Sequence, residues 1–170
     1  MKEIIFIGAA LLLLSCNVSA KDRHDGAGGT ASQDEADIQR VMEAFHHAVT
    51  THDGRGVAEL FLDPGSTWVT VLSDQAFARA RAKNPSTQKV HVSSYRDFAA
   101  FVASTKSALD PRHADIHMTS DGAVASVYFH FEFNIDGKIE NRGDETWQLV
   151  KTVEGWRIVA LTYSSNPTAP

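Results

Sequence analysis

The feature that most constrains the fold is the last third of the chain, where strand-like runs alternate with short glycine-containing turns. The runs cover residues 112–120, 123–135, 138–152 and 156–165. Asp121-Gly122, Asp136-Gly137 and Glu154-Gly155 lie between them. A two-residue hairpin turn needs positive φ at its central positions, and Asp and Gly tolerate this well. The pattern therefore predicts an antiparallel meander of four strands.

The first 20 residues have the pattern of a secretory signal peptide. Lys2 precedes an uninterrupted apolar run over residues 4–14. A run of this length cannot span a bilayer, because a transmembrane helix needs about 20 apolar residues. We therefore expect export across the inner membrane of a Gram-negative bacterium.

Two processing sites compete downstream of the apolar run. The segment 13–16, Leu-Leu-Ser-Cys, resembles a bacterial lipobox, whereas Val18-Ser19-Ala20 suits ordinary signal peptidase. Cys16 is the one cysteine of the sequence and has no intramolecular disulfide partner, which favours lipidation of this residue. The alternatives are an outer-membrane lipoprotein attached by lipid at Cys16 and a soluble periplasmic protein.

The remaining chain has the composition of one soluble domain, with 43% hydrophobic and 22% charged residues. Residues 21–33 are rich in Gly, Ala and polar residues, which predicts a flexible tether. The domain is expected over 34–166 and a short tail over 167–170. The net charge of -5 argues against a nucleic acid partner, since phosphate-binding surfaces are basic.

Three helices and a strand are predicted before the meander. Apolar residues at three- and four-residue spacing from Ile38 to Val49 predict the first helix. Asp53 can cap a short second helix, and residues 66–72 are typical of a strand. Ser94 begins a capping box for the third helix, which should end at Asp110-Pro111. Residues 73–92 are predicted to form a mobile hairpin or lid that ends in a short strand.

Strand pairing through two-residue turns predicts which side chains share the concave face of the sheet. It places polar groups there together with phenylalanines, and such groups must be hydrogen-bonded or hydrated. A pocket of this composition suits a small-molecule ligand. An internal Arg142–Asp144 ion pair is the alternative. The pocket candidates are Phe45, Trp68, Phe129, Phe131, Arg142, Asp144, Gln148 and Tyr163.

The opposite face of the sheet is expected to carry Tyr128, Trp147 and Leu149 among polar residues, which predicts a homodimer through that face. His113 and His117 fall on the same side in this register. Alternate residues of one strand spread these groups over roughly 13 Å, too far for one metal ion to bind both. We therefore predict neither a metal site nor a cofactor.

The order of elements resembles the nuclear transport factor 2-like superfamily, and specifically its SnoaL-like branch. The resemblance covers about residues 34–166. It implies an α+β fold with a cone-shaped curved antiparallel sheet wrapped around three N-terminal helices. The matching residues are Ile38 to Phe45 with Ala48, His52-Asp53, Leu60-Phe61, Asp121 to Val124, Gly143 to Trp147, Leu149 to Lys151, Gly155 to Val159 and Tyr163-Ser164.

The resemblance does not transfer an activity. Isomerase relatives need a tyrosine and an aspartate where Phe45 and the neighbourhood of Val69 stand, and neither can do that chemistry. Epoxide-hydrolase relatives use an Asp-Arg-Asp set, for which only Arg142 and Asp144 are candidates. The sequence favours an exported domain that binds a small, partly apolar ligand. The alternatives are an isomerase or lyase with Asp144 as base and Arg142 or Tyr163 polarising an oxygen, and a structural module whose cone is filled by its own side chains.

Overall fold

The computed structural model of the chain describes residues 27–168. The predicted signal peptide, the first part of the tether and Cys16 lie outside this range, so their roles stay predictions. None of the helices within 27–168 is long and apolar enough to cross a membrane. The elements are α1 (Ala27–Thr50), α2 (Gly54–Glu59), β1 (Thr67–Leu72), α3 (Asp74–Lys83), β2 (Val90–Ser93), α4 (Tyr95–Ser104), β3 (Leu109–Ser120), β4 (Val124–Ile135), β5 (Lys138–Thr152) and β6 (Gly155–Ser165).

The strands form one six-stranded sheet with the order β2-β1-β6-β5-β4-β3. The predicted meander is confirmed, because β3 to β6 pair antiparallel in sequence order. The sheet is mixed rather than purely antiparallel, since β1 runs parallel to β6 with Trp68 opposite Leu161. The chain crosses from β1 to the far edge at β3, and the returning meander brings β6 alongside β1 in the same direction. The result is an α+β fold with a curved sheet.

The described residues contain four helices rather than the three predicted, because α3 lies in the segment expected to be a lid. Ser73 caps it by accepting a hydrogen bond from the Ala76 amide at 3.2 Å. Asp74 in the first turn and two basic residues in the last turn complement the helix dipole. Its alanines favour helix, but only Ala76 is buried, so the segment lacks the apolar stripe by which the other helices were predicted.

Helix α1 begins at Ala27, inside the segment predicted to be a flexible tether. A tertiary contact explains part of this difference. The carboxylate of Asp34 is buried and lies 2.6 Å from Lys151 Nζ on β5. The composition of the segment could not reveal an anchor that is 117 residues away in the sequence.

Helix α4 has the predicted capping box, in which Ser94 and Asp97 bond reciprocally to the backbone. It ends at Ser104 rather than at Asp110-Pro111, which belong to β3. Because β3 is an edge strand, a proline is tolerated there. Helices α1, α2 and α4 cover the concave face of the sheet, and their apolar side chains form one core with those of the strands.

Candidate functional site

The register of β5 decides which of its side chains face the interior. Asn134 on β4 pairs with Ile139, but Phe133 pairs with Asn141. Glu140 is therefore an extra residue on β5, which makes a β-bulge beside the Asp136-Gly137 turn. A bulge shifts the alternation of side chains by one residue for the rest of the strand.

The bulge reverses the predicted faces of β5. Glu145 lies opposite Phe129, which is fully buried, so Glu145 faces the interior. Arg142, Asp144 and Gln148, which were predicted to line the pocket, lie on the outer face of the sheet and are exposed. Their placement in the sequence-based register was wrong because that register assumed an uninterrupted ladder.

A second bulge reverses the predicted faces of part of β3. The pairing with β4 shifts between Ala114 and His117, and Asp115 within this stretch has a positive φ of 51°. His113 lies opposite Phe131 and faces the interior instead of the outer surface. Both bulges together bring an imidazole and a carboxyl into the concave side of the sheet.

The concave side of the sheet lines a cavity of about 310 Å³. All six strands and helices α1 and α4 contribute to its wall. Four of the eight predicted pocket residues line it, namely Phe45, Trp68, Phe131 and Tyr163. The other lining residues are Ser93, Ser94, Phe98, Pro111, His113, Phe133, Asn141 and Glu145.

Aromatic rings in mutual contact form most of this wall. The Phe98 ring on α4 stacks on Phe45 at 5.9 Å and on Trp68 at 5.0 Å between ring centroids. Trp68 meets Tyr163 edge-on at 6.3 Å, and Tyr163 meets Phe131 at 5.6 Å. Phe98, Trp68 and Tyr163 each contact two other rings of this wall, so its middle part is preorganised.

Phe129, the remaining predicted aromatic, lies behind the wall rather than in it. Its ring is completely buried and contacts His113 at 4.5 Å and Trp147 at 5.4 Å between centroids. It therefore supports the ring of His113 from behind and does not line the cavity.

Glu145 supplies the cavity with its one carboxyl group among the described lining residues. The indole Nε1 of Trp147 donates a hydrogen bond to Glu145 Oε1. Burial raises the pKa of Glu145 from its ordinary value of 4.5 to about 7, and the hydrogen bond from Trp147 lowers this pKa by a smaller amount. The part of the side chain that remains accessible faces the cavity.

His113 is the second polar group of this site that sequence reasoning missed. Burial against Phe45, Phe129 and Trp147, together with a smaller effect of the neighbouring His46, lowers its pKa from 6.5 to about 4. His46 itself donates from Nδ1 to the carbonyl oxygen of Pro111 at 2.7 Å. His113 therefore stays neutral near pH 7 and can exchange hydrogen bonds without carrying charge.

Two of the polar residues that were predicted for the pocket, Asp144 and Gln148, form pairs on the outer face instead. Asp144 accepts a hydrogen bond from His130 Nδ1, and both side chains are about half exposed. Gln148 accepts from the hydroxyl of Ser126 at 3.0 Å. Within residues 27–168, no group of three His, Cys, Asp or Glu side chains is arranged to hold a metal ion.

The comparisons with known proteins identify the fold and not the activity. No protein-family model and no curated protein matches the sequence. A protein of unknown function from Mycobacterium tuberculosis superposes with a TM-score of 0.59 at 16% identity, over 81% of this chain and 79% of that chain. A proposed dehydratase of the nuclear transport factor 2-like family from Streptomyces avermitilis superposes with a TM-score of 0.58 at 18% identity, over 82% and 99% of the two chains.

A third solved structure gives the same result. A nuclear transport factor 2-like protein with a cystatin-like fold from Novosphingobium aromaticivorans has a TM-score of 0.57 at 13% identity, over 81% of this chain and 85% of that chain. The described chain therefore has the nuclear transport factor 2-like fold, as the resemblance in its sequence implied. Because one fold hosts many activities, the function must be argued from the cavity itself.

Proposed function

We propose that this protein binds a small, mainly apolar molecule in the aromatic cavity. The observation that supports the proposal is a concave space of about 310 Å³ whose wall combines stacked rings with a few polar groups, among them Glu145 and His113. Small-molecule sites are typically concave and apolar, with a few polar groups that fix the orientation of the ligand. A ligand with a hydrocarbon body and one polar group matches this wall.

The size of the cavity argues against a purely structural module. Protein interiors are close-packed, and an apolar cavity destabilises the native state in proportion to its volume. A domain whose cone served only to support the sheet would be more stable with larger side chains at Ser93 or Asn141, which line the space. A ligand that fills the cavity offsets this cost.

The isomerase or lyase hypothesis built on Asp144 loses its geometric basis. Asp144 and Arg142 point away from the cavity and toward solvent, so they cannot reach a molecule bound inside the cone. A general base must lie within hydrogen-bonding distance of the proton it removes. Ligand binding without a named reaction is the function that the cavity supports best.

The proposal is tested by titrating the described domain with neopentylbenzene, a neutral molecule with a phenyl ring and a tert-butyl group. We expect binding at a dissociation constant below about 1 mM, measured by calorimetry or NMR line shifts. Ser93→Phe, which adds a ring at the cavity, should weaken this affinity by about 10-fold or more. Val92→Phe is the matched control, because Val92 is 67% exposed on the same strand and does not line the cavity. Equal affinities in the two variants would contradict the proposal.

We also propose that the chain is exported and carries lipid on Cys16, as its sequence predicts. Cells that express the full chain are grown with an alkyne-tagged fatty acid, and labelling is measured by in-gel fluorescence. The wild-type protein should be labelled and Cys16→Ala should not. Recovery of an unlabelled wild-type chain that begins at Lys21 would instead support ordinary secretion.

A further inference from the structure

The charge that the cavity can carry near neutral pH is negative. Among the described residues that line it, Glu145 has the one carboxyl group, and none is lysine or arginine. His113 adds no positive charge, because burial keeps its pKa at about 4. A buried carboxylate without a nearby cation repels an anionic ligand, so the cavity excludes acids of similar size.

The carboxyl of Glu145 has few partners within the protein. Within residues 33–168, its hydrogen bond comes from the neutral indole of Trp147, and no lysine, arginine or histidine lies within 4.0 Å of its oxygens. An ionised carboxylate in an apolar environment is unfavourable unless it is paired. Either a proton or a positively charged ligand group can neutralise it.

The aromatic wall favours the positively charged ligand. The faces of aromatic rings carry negative potential and attract cations, most strongly when water is excluded. Phe45, Phe98 and Trp68 form a stacked row on one side, while Phe131 and Tyr163 close the other side. Substituted ammonium groups are poorly hydrated and combine a positive charge with an apolar surface, so they suit a wall of rings with one carboxylate.

We propose that the cavity selects small organic cations, in which a substituted ammonium group neutralises Glu145 and contacts the rings while the hydrocarbon part fills the remaining space. This inference rests on the proposed function, because it names the ligand class of the same cavity. A neutral ligand that accepts a hydrogen bond from protonated Glu145 is the competing outcome.

The test compares two probes of nearly identical shape. Benzyltrimethylammonium and neopentylbenzene differ in one central atom, which is a positively charged nitrogen in the first and a neutral carbon in the second. At about pH 8.5 we expect the cation to bind wild-type protein at least 10-fold more tightly than the hydrocarbon. Because neither probe titrates, any effect of pH on affinity comes from the protein.

Lowering the pH should remove the preference for the cation. With the pKa of Glu145 at about 7, the ionised fraction falls about 30-fold between pH 8.5 and pH 5.5, and the affinity for the cation should fall by the same factor. His113, Tyr163 and, through His113, His46 are the other titratable groups around this carboxyl. The fall ends where the protonated site binds the cation no better than the hydrocarbon, and the affinity for neopentylbenzene should change little over this range.

Two glutamine variants separate a charge effect from a structural one. Glu145→Gln keeps an acceptor for the Trp147 indole but removes the charge, so we expect it to lose both the preference for the cation and the pH dependence. Glu140→Gln makes the same chemical change at an exposed position of the same strand and should behave as wild type. Far-ultraviolet circular dichroism and the melting temperature show whether each variant is folded.

The outcomes distinguish the two proposals. If wild-type protein binds neither probe, both the proposed function and this inference fail. If it binds neopentylbenzene as tightly as the cation at both pH values, the cavity is a ligand site but the selection of cations is wrong. The inference is also wrong if Glu145→Gln retains the full preference, whereas the wild-type pH series decides the question if that variant does not fold.

Discussion

Glu145 lies in the apolar wall of the cavity and, among the described residues, accepts a side-chain hydrogen bond from one neutral donor, the Trp147 indole, and these two facts determine how its carboxyl titrates. Removing a carboxylate from water raises its pKa because the charged form loses hydration. The Trp147 indole restores part of that loss. The group therefore changes charge near neutral pH, where an exposed glutamate is fully ionised.

This titration makes the stability of the protein depend on pH in a defined direction. Between pH 4.5 and 7 the unfolded chain has released the Glu145 proton and the folded chain has kept it, so stability falls as pH rises through this window. Glu145→Gln stays neutral throughout. We predict that the variant gains about 2–3 kcal/mol of unfolding free energy relative to wild type between about pH 4.5 and pH 8, measured by urea unfolding.

Because His113 also titrates, the effect of Glu145 on stability must be measured as the difference between wild type and Glu145→Gln. The lowered pKa of His113 has the opposite effect, because the unfolded chain takes up a proton below pH 6.5 while the folded chain stays neutral until about pH 4. The two slopes partly cancel in wild-type protein. Glu140→Gln again serves as the control, and a stability difference between Glu145→Gln and wild type that does not change with pH would contradict the assignment of the raised pKa.

At the scale of single residues, the sequence could predict the apolar part of the site better than its polar part. Large aromatic rings are more favourable inside the fold than in water, which is why the inward position of these four could be predicted: Phe45, Trp68, Phe131 and Tyr163. Which polar side chains face the cavity depends on the strand register alone, and a one-residue bulge places Glu145 there instead of Asp144. Glutamate is not a residue type that indicates a bulge, so the sequence does not reveal that Glu140 is the extra residue of β5.

At the scale of elements, the first turns of α1 depend on a contact with β5. Asp34 is 5% exposed and Lys151 is 41% exposed, and the ammonium group also lies 5.7 Å from the centre of the Trp156 ring. A buried carboxylate that loses its cation is left unpaired, which costs more than the net gain from forming the pair. This contact holds a helix start whose composition is typical of a tether.

A double-mutant cycle tests this anchor. Lys151→Met should lower stability by about 1–3 kcal/mol, because it leaves Asp34 buried without a cation. In the presence of Asp34→Asn the same change should cost at least 1 kcal/mol less, since the charge has gone. Urea unfolding gives the free energies, and hydrogen exchange should show reduced protection near residue 34 in Lys151→Met.

The exposed Arg55–Glu59 pair on α2 is the matched control for this cycle. Its side chains are 88% and 64% exposed, so Arg55→Met and Glu59→Gln should show a coupling energy below about 0.5 kcal/mol. Equal coupling energies in the two cycles would show that burial of Asp34 adds nothing to the anchor.

The elements that the sequence predicted best are those with local signals. Glycine-containing turns indicated the three hairpins of β3 to β6, and Ser94 with Asp97 indicated the start of α4. Helix α3 was missed because it is stabilised by alanine propensity, a serine cap and charges at its ends rather than by an apolar stripe. The parallel pairing of β1 with β6 joins segments about ninety residues apart, which no local pattern encodes.

At the scale of the whole molecule, the cavity is a property of the complete fold. Every strand contributes to its wall, and helix α4 closes it with Phe98. The outer face of the sheet carries Tyr128, His130 and Asp144 and is largely polar, because Trp147 and Leu149 lie inside. The homodimer predicted through this face therefore loses two of the three residues on which it was based, and dimerisation stays a prediction.

The most direct test of the central claim is to locate a bound probe by isotope-edited nuclear Overhauser effects. Protein with ¹³C-labelled Phe, Trp and Tyr rings is saturated with unlabelled neopentylbenzene. We expect intermolecular effects from the tert-butyl protons to the rings of Phe45, Trp68, Phe98 and Tyr163, which line the cavity. Effects confined to the exposed ring of Tyr128 on the outer face, or none at all, would contradict the proposal that the cone is a ligand site.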